Sequence, residues 1–280
     1  MSVRIVIDSS VDMSVSGEEN VICVPLTVRF GNDEFLDRVE LSAADFYEKL
    51  TKGGVMPSTS QANISDFERI YDRITENGDE AVVITLSSKL SGTYHSACVA
   101  AEDYKGKVYV IDSQNVSIGA GVLAEFALNL AGDGLTAWDI ARRLTVEREN
   151  IRLFSAFDTL EYLKRGGRLS SAAAFAGSLL ALKPIITVRD GEVAVIGKAR
   201  GSRNINPSLF KEIENCGGIN HIKPCLVGYT GSDDSAVRGF IDDGADYWKG
   251  QNEPLKITTV GSAVGTHAGP GAIAVAFFAN

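Results

Sequence analysis

The chain has 280 residues, 45% of them hydrophobic, a formal net charge of -9 and a pI near 4.9. That length is enough for two packed cores, and the acidic field repels phosphate backbones and anionic headgroups, so no nucleic acid partner is expected. The longest apolar stretch, residues 172–182, is stopped by Lys183-Pro184 and falls short of the roughly eighteen residues of a membrane span, so no stable membrane insertion is expected either.

The first elements alternate. Residues 3–7 form a β-branched run that reads as a strand and not as a secretory signal, and residues 21–26, 81–85 and 108–111 read the same way. Between them lie amphipathic helices. Ser65 with Glu68 has capping-box spacing, Phe67, Ile70, Tyr71 and Ile74 share one face, and Asn77-Gly78 ends the turn. Thr136 with Asp139 opens another helix, carrying Trp138, Ile140 and Leu144. Strand–helix alternation implies an N-terminal three-layer α/β/α domain around a parallel sheet, spanning residues 1–150.

From residue 151 the texture changes. Strands are expected at 152–157, 185–188, 193–196, 224–229, 255–260 and 272–278, with Asp190-Gly191 as a hairpin turn. Helices are expected at 160–164, 171–182, 207–215 and 235–248. This predicts a C-terminal two-layer α/β domain, residues 151–280, with a mixed six-stranded sheet.

Polar turns follow several strands. Asp8-Ser9-Ser10, the segment from Ser87 to Thr93, and Asp112-Ser113 place hydroxyls at one rim of the sheet, where ligands of parallel sheets bind. One such turn is an ordinary helix cap; three converging turns point to a site. The four cysteines, Cys23, Cys98, Cys216 and Cys225, show no C-x-x-C pair and no zinc spacing, so a metal site is not expected and reduced cytoplasmic thiols are. Gly119-x-Gly121-x-x-Ala124 stands too far from its strand to be a dinucleotide fingerprint and reads as a tight helix start. Residues 191–198 miss the phosphate-loop pattern, and no G-x-S-x-G elbow exists.

Six motifs carry a family resemblance. Pro57-Ser58-Thr59-Ser60-Gln61 and the segment Ser87 to Ala97 (with His95 where Gln is usual) resemble signatures of the DegV family. Asp112-Ser113 with Gly119 and Gly121, the run Leu160 to Arg168, Lys183-Pro184-Ile185, and His267-Ala268-Gly269-Pro270-Gly271 follow in the family's order. The resemblance spans the chain. It implies a two-domain fold shared with dihydroxyacetone kinase subunits, and a long-chain fatty acid in a tunnel at the domain interface, with no other cofactor. Thr59 and Ser91 would bind the carboxylate, supported by Ser60, Gly92, Thr93 and His267. The chain would do no catalysis and would present its ligand to an ATP-dependent, dihydroxyacetone-kinase-like fatty acid kinase that makes the acyl phosphate. Arg168, Arg200 and Arg203 would belong to the docking surface for that kinase.

Residues 172–182 offer small and apolar lining for such a tunnel, or ordinary core. Two other functions stay open at this point. Ser91 with His267 could form an acyl or ester nucleophile pair, and the fold kinship allows a binder of small polar metabolites.

Overall fold

The computed structural model describes residues 2–13, 20–169, 182–251 and 255–280. In the first part the order is β1 (Val3–Asp8), β2 (Val21–Val24), β3 (Thr27–Phe30), β4 (Asp33–Leu36), α1 (Ala43–Lys52), β5 (Ser58–Ser60), α2 (Ile64–Glu76), β6 (Glu80–Thr85) and α3 (Thr93–Ala100). Then come β7 (Val108–Asp112), α4 (Ile118–Gly132) and α5 (Ala137–Glu147). The second part runs β8 (Ile151–Ala156), α6 (Glu161–Arg165), β9 (Leu182–Arg189), β10 (Glu192–Arg200), α7 (Ile205–Asn215), β11 (Cys225–Tyr229), α8 (Ser235–Asp243), β12 (Lys256–Thr259), α9 (Ser262–Ala268) and β13 (Ile273–Phe278).

Strands β2-β1-β6-β7 form a four-stranded parallel sheet. The central strands are continuous apolar runs because both faces are covered. On one face Phe67, Ile70, Tyr71 and Ile74 of α2 join Ala97 of α3 against Val6 and Val83. On the other, α4 and α5 pack against Ile5, Ile7, Val82 and Ile84. The second sheet has the order β10-β9-β8-β13-β11-β12 and is mixed, with β11 and β12 parallel and every other pairing antiparallel. Leu209 and Ile213 of α7 and Val237 and Phe240 of α8 cover one of its faces.

Helix α4 covers the other. Leu153, Leu226, Ala276 and Phe278 of the six-stranded sheet share one core with Leu123 and Ala127 of α4 and with the parallel sheet. A helix with a sheet on each side must be mostly apolar, and α4 is buried at every position from Ile118 to Ala127, with Glu125 in that stretch paired to Lys256 at 3.2 Å. Its start is held close to the loop after β1: a Cβ at Gly121 would lie 2.2 Å from the carbonyl oxygen of Asp12.

The α/β architecture and the mixed six-stranded sheet agree with the sequence reading. Several local expectations do not. The run 21–26 is strand only as far as Val24, because Pro25 cannot donate to the ladder and the chain leaves the parallel sheet there. Thr27 then starts a small antiparallel sheet, β4-β3-β5, that was not anticipated. Ser65 lies inside the first turn of α2, whose N-cap is Asn63, so the Ser65–Glu68 box does not form. The Thr136 cap does form, its hydroxyl accepting from the Asp139 N–H at 3.2 Å. Helix α8 ends at Gly244, well before Trp248. Phe210 crowds that end: a Cβ on Gly244 would meet its ring at 2.7 Å. The expected helix at 171–182 lies, apart from Leu182, outside the described residues. Asp190 and Gly191 both take the left-handed conformation, φ 51° and 78°, of a two-residue hairpin turn. The four cysteines are free, and burial pushes Cys23 and Cys225 up to about 12, away from nucleophile chemistry.

Gly121→Ala tests the close approach of α4. Because the clash is with backbone, the substitution is expected to destabilise the protein by about 1–3 kcal/mol in urea unfolding, whereas Gly132→Ala, with open space at its Cβ, is not.

Candidate functional site

A cavity of about 120 Å³ opens between the two sheets. Leu153, Phe157, Ile186 and Val188 line it from the six-stranded sheet and its loops, Leu86 and Val116 from the parallel sheet's loops, and Ala263, Val264 and Ala268 from α9. The wall is mainly apolar. The hydroxyls that do reach it deeper in are engaged with protein. Ser10 donates to Asp8, Ser117 donates to Asp12 at 2.7 Å, Ser155 donates to the Ile273 carbonyl at 2.8 Å, and Thr230 accepts from the Ala272 N–H at 2.7 Å.

At the other end the polar groups face the space. Thr59, Ser60, Gln61, Ser91, Arg168 and His267 all line it there. Strand β5 sets Thr59 by pairing it with Val28 of β3, and the loop before α3 sets Ser91. Ser60 and Gln61 are exposed, so this end is the mouth. Gly92 and Thr93 do not line the cavity but build its rim. A Cβ at Gly92 would overlap the Gln61 side chain, which donates to Ser96 at 2.8 Å. The Ser91 hydroxyl lies 3.0 Å from that of the buried Thr93. His95, the departure from the family motif, is exposed on α3 and does not line the cavity.

His267 Nε2 lies 3.0 Å from Thr59 Oγ1. Its Nδ1 is buried against Gly166, where a Cβ would come within 2.1 Å, and has no hydrogen-bond partner among the described residues. Two motifs far apart in the chain, one ending in Gly166-Gly167-Arg168 and one opening at His267, thus meet at this wall. Burial, and then the nearby Arg168 cation, lower the imidazole to about 4, so the ring is neutral at pH 7. His267 is paired with Thr59 and Ser91 with Thr93, so the Ser91–His267 nucleophile pair considered above is not assembled.

The arginines separate. Arg200 and Arg203 are exposed, at the end of β10 and in the turn that follows. Arg168, expected beside them on a docking surface, instead stands in the cavity wall, its guanidinium donating to the carbonyls of Leu90 at 3.3 Å and Gly166 at 2.5 Å. Local sequence missed this because Gly166 and Gly167 read as an exposed helix end, while the wall they join comes from α9, a hundred residues on. The apolar residues 172–182 cannot be assigned to the lining, since 172–181 lie outside the described residues. Among the described residues, no cluster of His, Cys, Asp and Glu could hold a metal ion.

An α/β molecule with an apolar cavity between its two larger sheets and hydroxyls from these motifs at its mouth has clear relatives. The model of the family described as "uncharacterised protein, DegV family" matches residues 2–280. This chain belongs to the DegV family. A DegV domain-containing protein of Deinococcus radiodurans is 34% identical, with 99% of this chain and 98% of that protein aligned. One from Caldanaerobacter subterraneus is 34% identical over 92% of this chain and 91% of its own length. Among solved structures, the DegV family protein of Thermus thermophilus described for its fatty acid binding superposes with a TM-score of 0.90 at 31% identity, covering 99% of this chain and 100% of that one. Bacillus subtilis DegV, described as a fatty acid binding protein, gives 0.85 at 28% identity with both chains covered fully.

The neutral histidine makes a pH prediction. A base whose folded value is depressed gives stability that is present above its unfolded value, near 6.5, and is lost as pH falls toward 4. His267→Gln removes that dependence, so between pH 6.5 and 4 it should lose less stability in urea unfolding than the wild type. In NMR the wild-type ring should titrate near 4; a midpoint of 6 or above contradicts the site described here.

Proposed function

We propose that this chain holds one long-chain fatty acid, its tail between the two sheets and its carboxylate at Thr59 and Ser91. One observation carries the reading: two hydroxyls and an arginine converge at the mouth of a cavity whose deeper polar groups are already engaged with protein. Similarity to DegV proteins described as fatty acid binders supports it. Burying about fourteen methylenes, at ~0.8 kcal/mol each, contributes near 11 kcal/mol before ordering costs. A hydrogen bond to a charged group contributes about 1.5–3 kcal/mol net. Tail burial then sets affinity, and the mouth sets orientation. Arg168 adds positive charge at the head group.

The exposed mouth suits presentation of the carboxylate to a partner. The partner proposed, as the family resemblance implies, is an ATP-dependent fatty acid kinase of the cytoplasm, which would form the acyl phosphate while this chain does no chemistry alone. Arg200 and Arg203 are the exposed cations proposed to receive it. On this reading the ligand lies between an N-terminal domain, residues 1–150, and a C-terminal domain, residues 151–280.

Native mass spectrometry of gently purified protein should find one non-covalent fatty acid. Thr59→Ala and Ser91→Ala should each lower retention of added hexadecanoate, non-additively because both serve one head group. An acyl group bonded to Ser91, or full retention in the double variant, would overturn the assignment.

The second measurement separates the arginines. Arg168→Ala is expected to lower lipid retention. Arg200→Ala with Arg203→Ala should leave retention intact and slow acyl-phosphate formation in the presence of the kinase, most at low salt and less at higher salt, where the wild-type charges are screened as well. Acyl phosphate formed from ATP without added kinase would contradict the carrier reading.

A further inference from the structure

We infer that Thr93, which does not reach the cavity, fixes the direction of the Ser91 hydroxyl and so makes the mouth select a head group that only accepts hydrogen bonds. The inference rests on the fatty acid reading and adds which head chemistries the site refuses.

Thr93 is fully buried in the first turn of α3. Its Oγ1 accepts from the Ala62 N–H at 3.4 Å and lies 3.0 Å from Ser91 Oγ, which in turn accepts from the Thr93 N–H at 3.3 Å. A hydroxyl has one proton and two acceptor sites. Were Ser91 to donate to Thr93, the Thr93 proton would be buried with no acceptor among the described residues, which is the costly arrangement. Thr93 therefore donates. Ser91 Oγ then receives two protons, the N–H and the O–H of Thr93. Its acceptor sites are full, and its own proton is left to point into the cavity.

Thr59 is set from the opposite wall. A proton on His267 Nδ1 would be a buried donor with no partner among the described residues, beside the Arg168 cation. The proton therefore sits on Nε2, Thr59 accepts it, and the Thr59 hydroxyl is also free to donate. Two donors face the same space. An ionised carboxylate meets both with oxygen. The primary amide of the same chain sets an N–H against one of them.

Purified protein, stripped of lipid, is offered equal hexadecanoate and hexadecanamide, and the bound ratio is read by mass spectrometry. The wild type should hold the acid in clear excess. Thr93→Val lets Ser91 turn and accept, so its acid-to-amide ratio should fall about tenfold, the size expected for one orphaned buried donor. Thr93→Ser keeps the hydroxyl and should restore the wild-type ratio. If Thr93→Val does not fold, Thr93→Ala carries the same comparison. A folded Thr93→Val or Thr93→Ala with the wild-type ratio overturns the inference. A wild type that takes up neither ligand overturns the fatty acid reading, and this inference with it.

Discussion

The carboxylate of Asp12 is the point on which the rest of the molecule depends. It is fully buried in the loop after β1 and accepts from Arg38 at 2.6 Å, from Ser117 at 2.7 Å and from the Gly261 N–H at 2.8 Å. Those partners come from the turn after β4, the start of α4, and the loop between β12 and α9. A buried charge is costly unless each lone pair is met, so the three elements must arrive together. Burial raises the group to about 6 even with Arg38 beside it, a measure of how little water reaches this junction. Arg38 also donates to the carbonyls of Ser9 and Val11, so it braces the loop it neutralises. Next to it, Asp37 accepts from Ser262 at the start of α9, and the Tyr47 hydroxyl donates to the Val260 carbonyl at 3.1 Å. This network sets α9 against the small β3–β5 sheet, and with it His267 against Thr59.

Two kinds of order meet in the cavity. Its depth is a matter of packing, with Phe157, Leu163, Ile186, Val193, Ala268 and Ala272 forming one apolar cluster along its wall. Its mouth is a matter of proton direction. Hydroxyls occur in both places, and for several of the deeper ones a protein acceptor already holds the proton, as Asp8 does for Ser10, Asp12 for Ser117 and the Ile273 carbonyl for Ser155. The neutral state of His267 belongs to this order: a charged ring beside Arg168 in a partly dry wall would be doubly unfavourable.

Much of this was legible in the sequence because it follows from local chemistry. The β-branched runs gave the parallel strands, Asp190-Gly191 gave the hairpin, and Thr136 gave a cap, since each depends on residues within a few positions. The motifs also named groups of the mouth: Thr59, Ser60, Ser91 and His267 do share one cavity, while Gly92 and Thr93 stand behind its rim. What local pattern could not supply was how they pair. His267 against Thr59 spans 208 positions, and Ser87 against the Gly191 carbonyl spans 104. The same limit misplaced Arg168, which looks solvated beside its own glycines and is part of a wall once α9 lies across them. It also hid β5, a strand of only three residues, Ser58–Ser60, that is strand only because β3 pairs with it. Composition and periodicity determine which faces must be buried; which hydroxyl ends up donating to which partner is decided only when distant segments are brought within about 3 Å of one another.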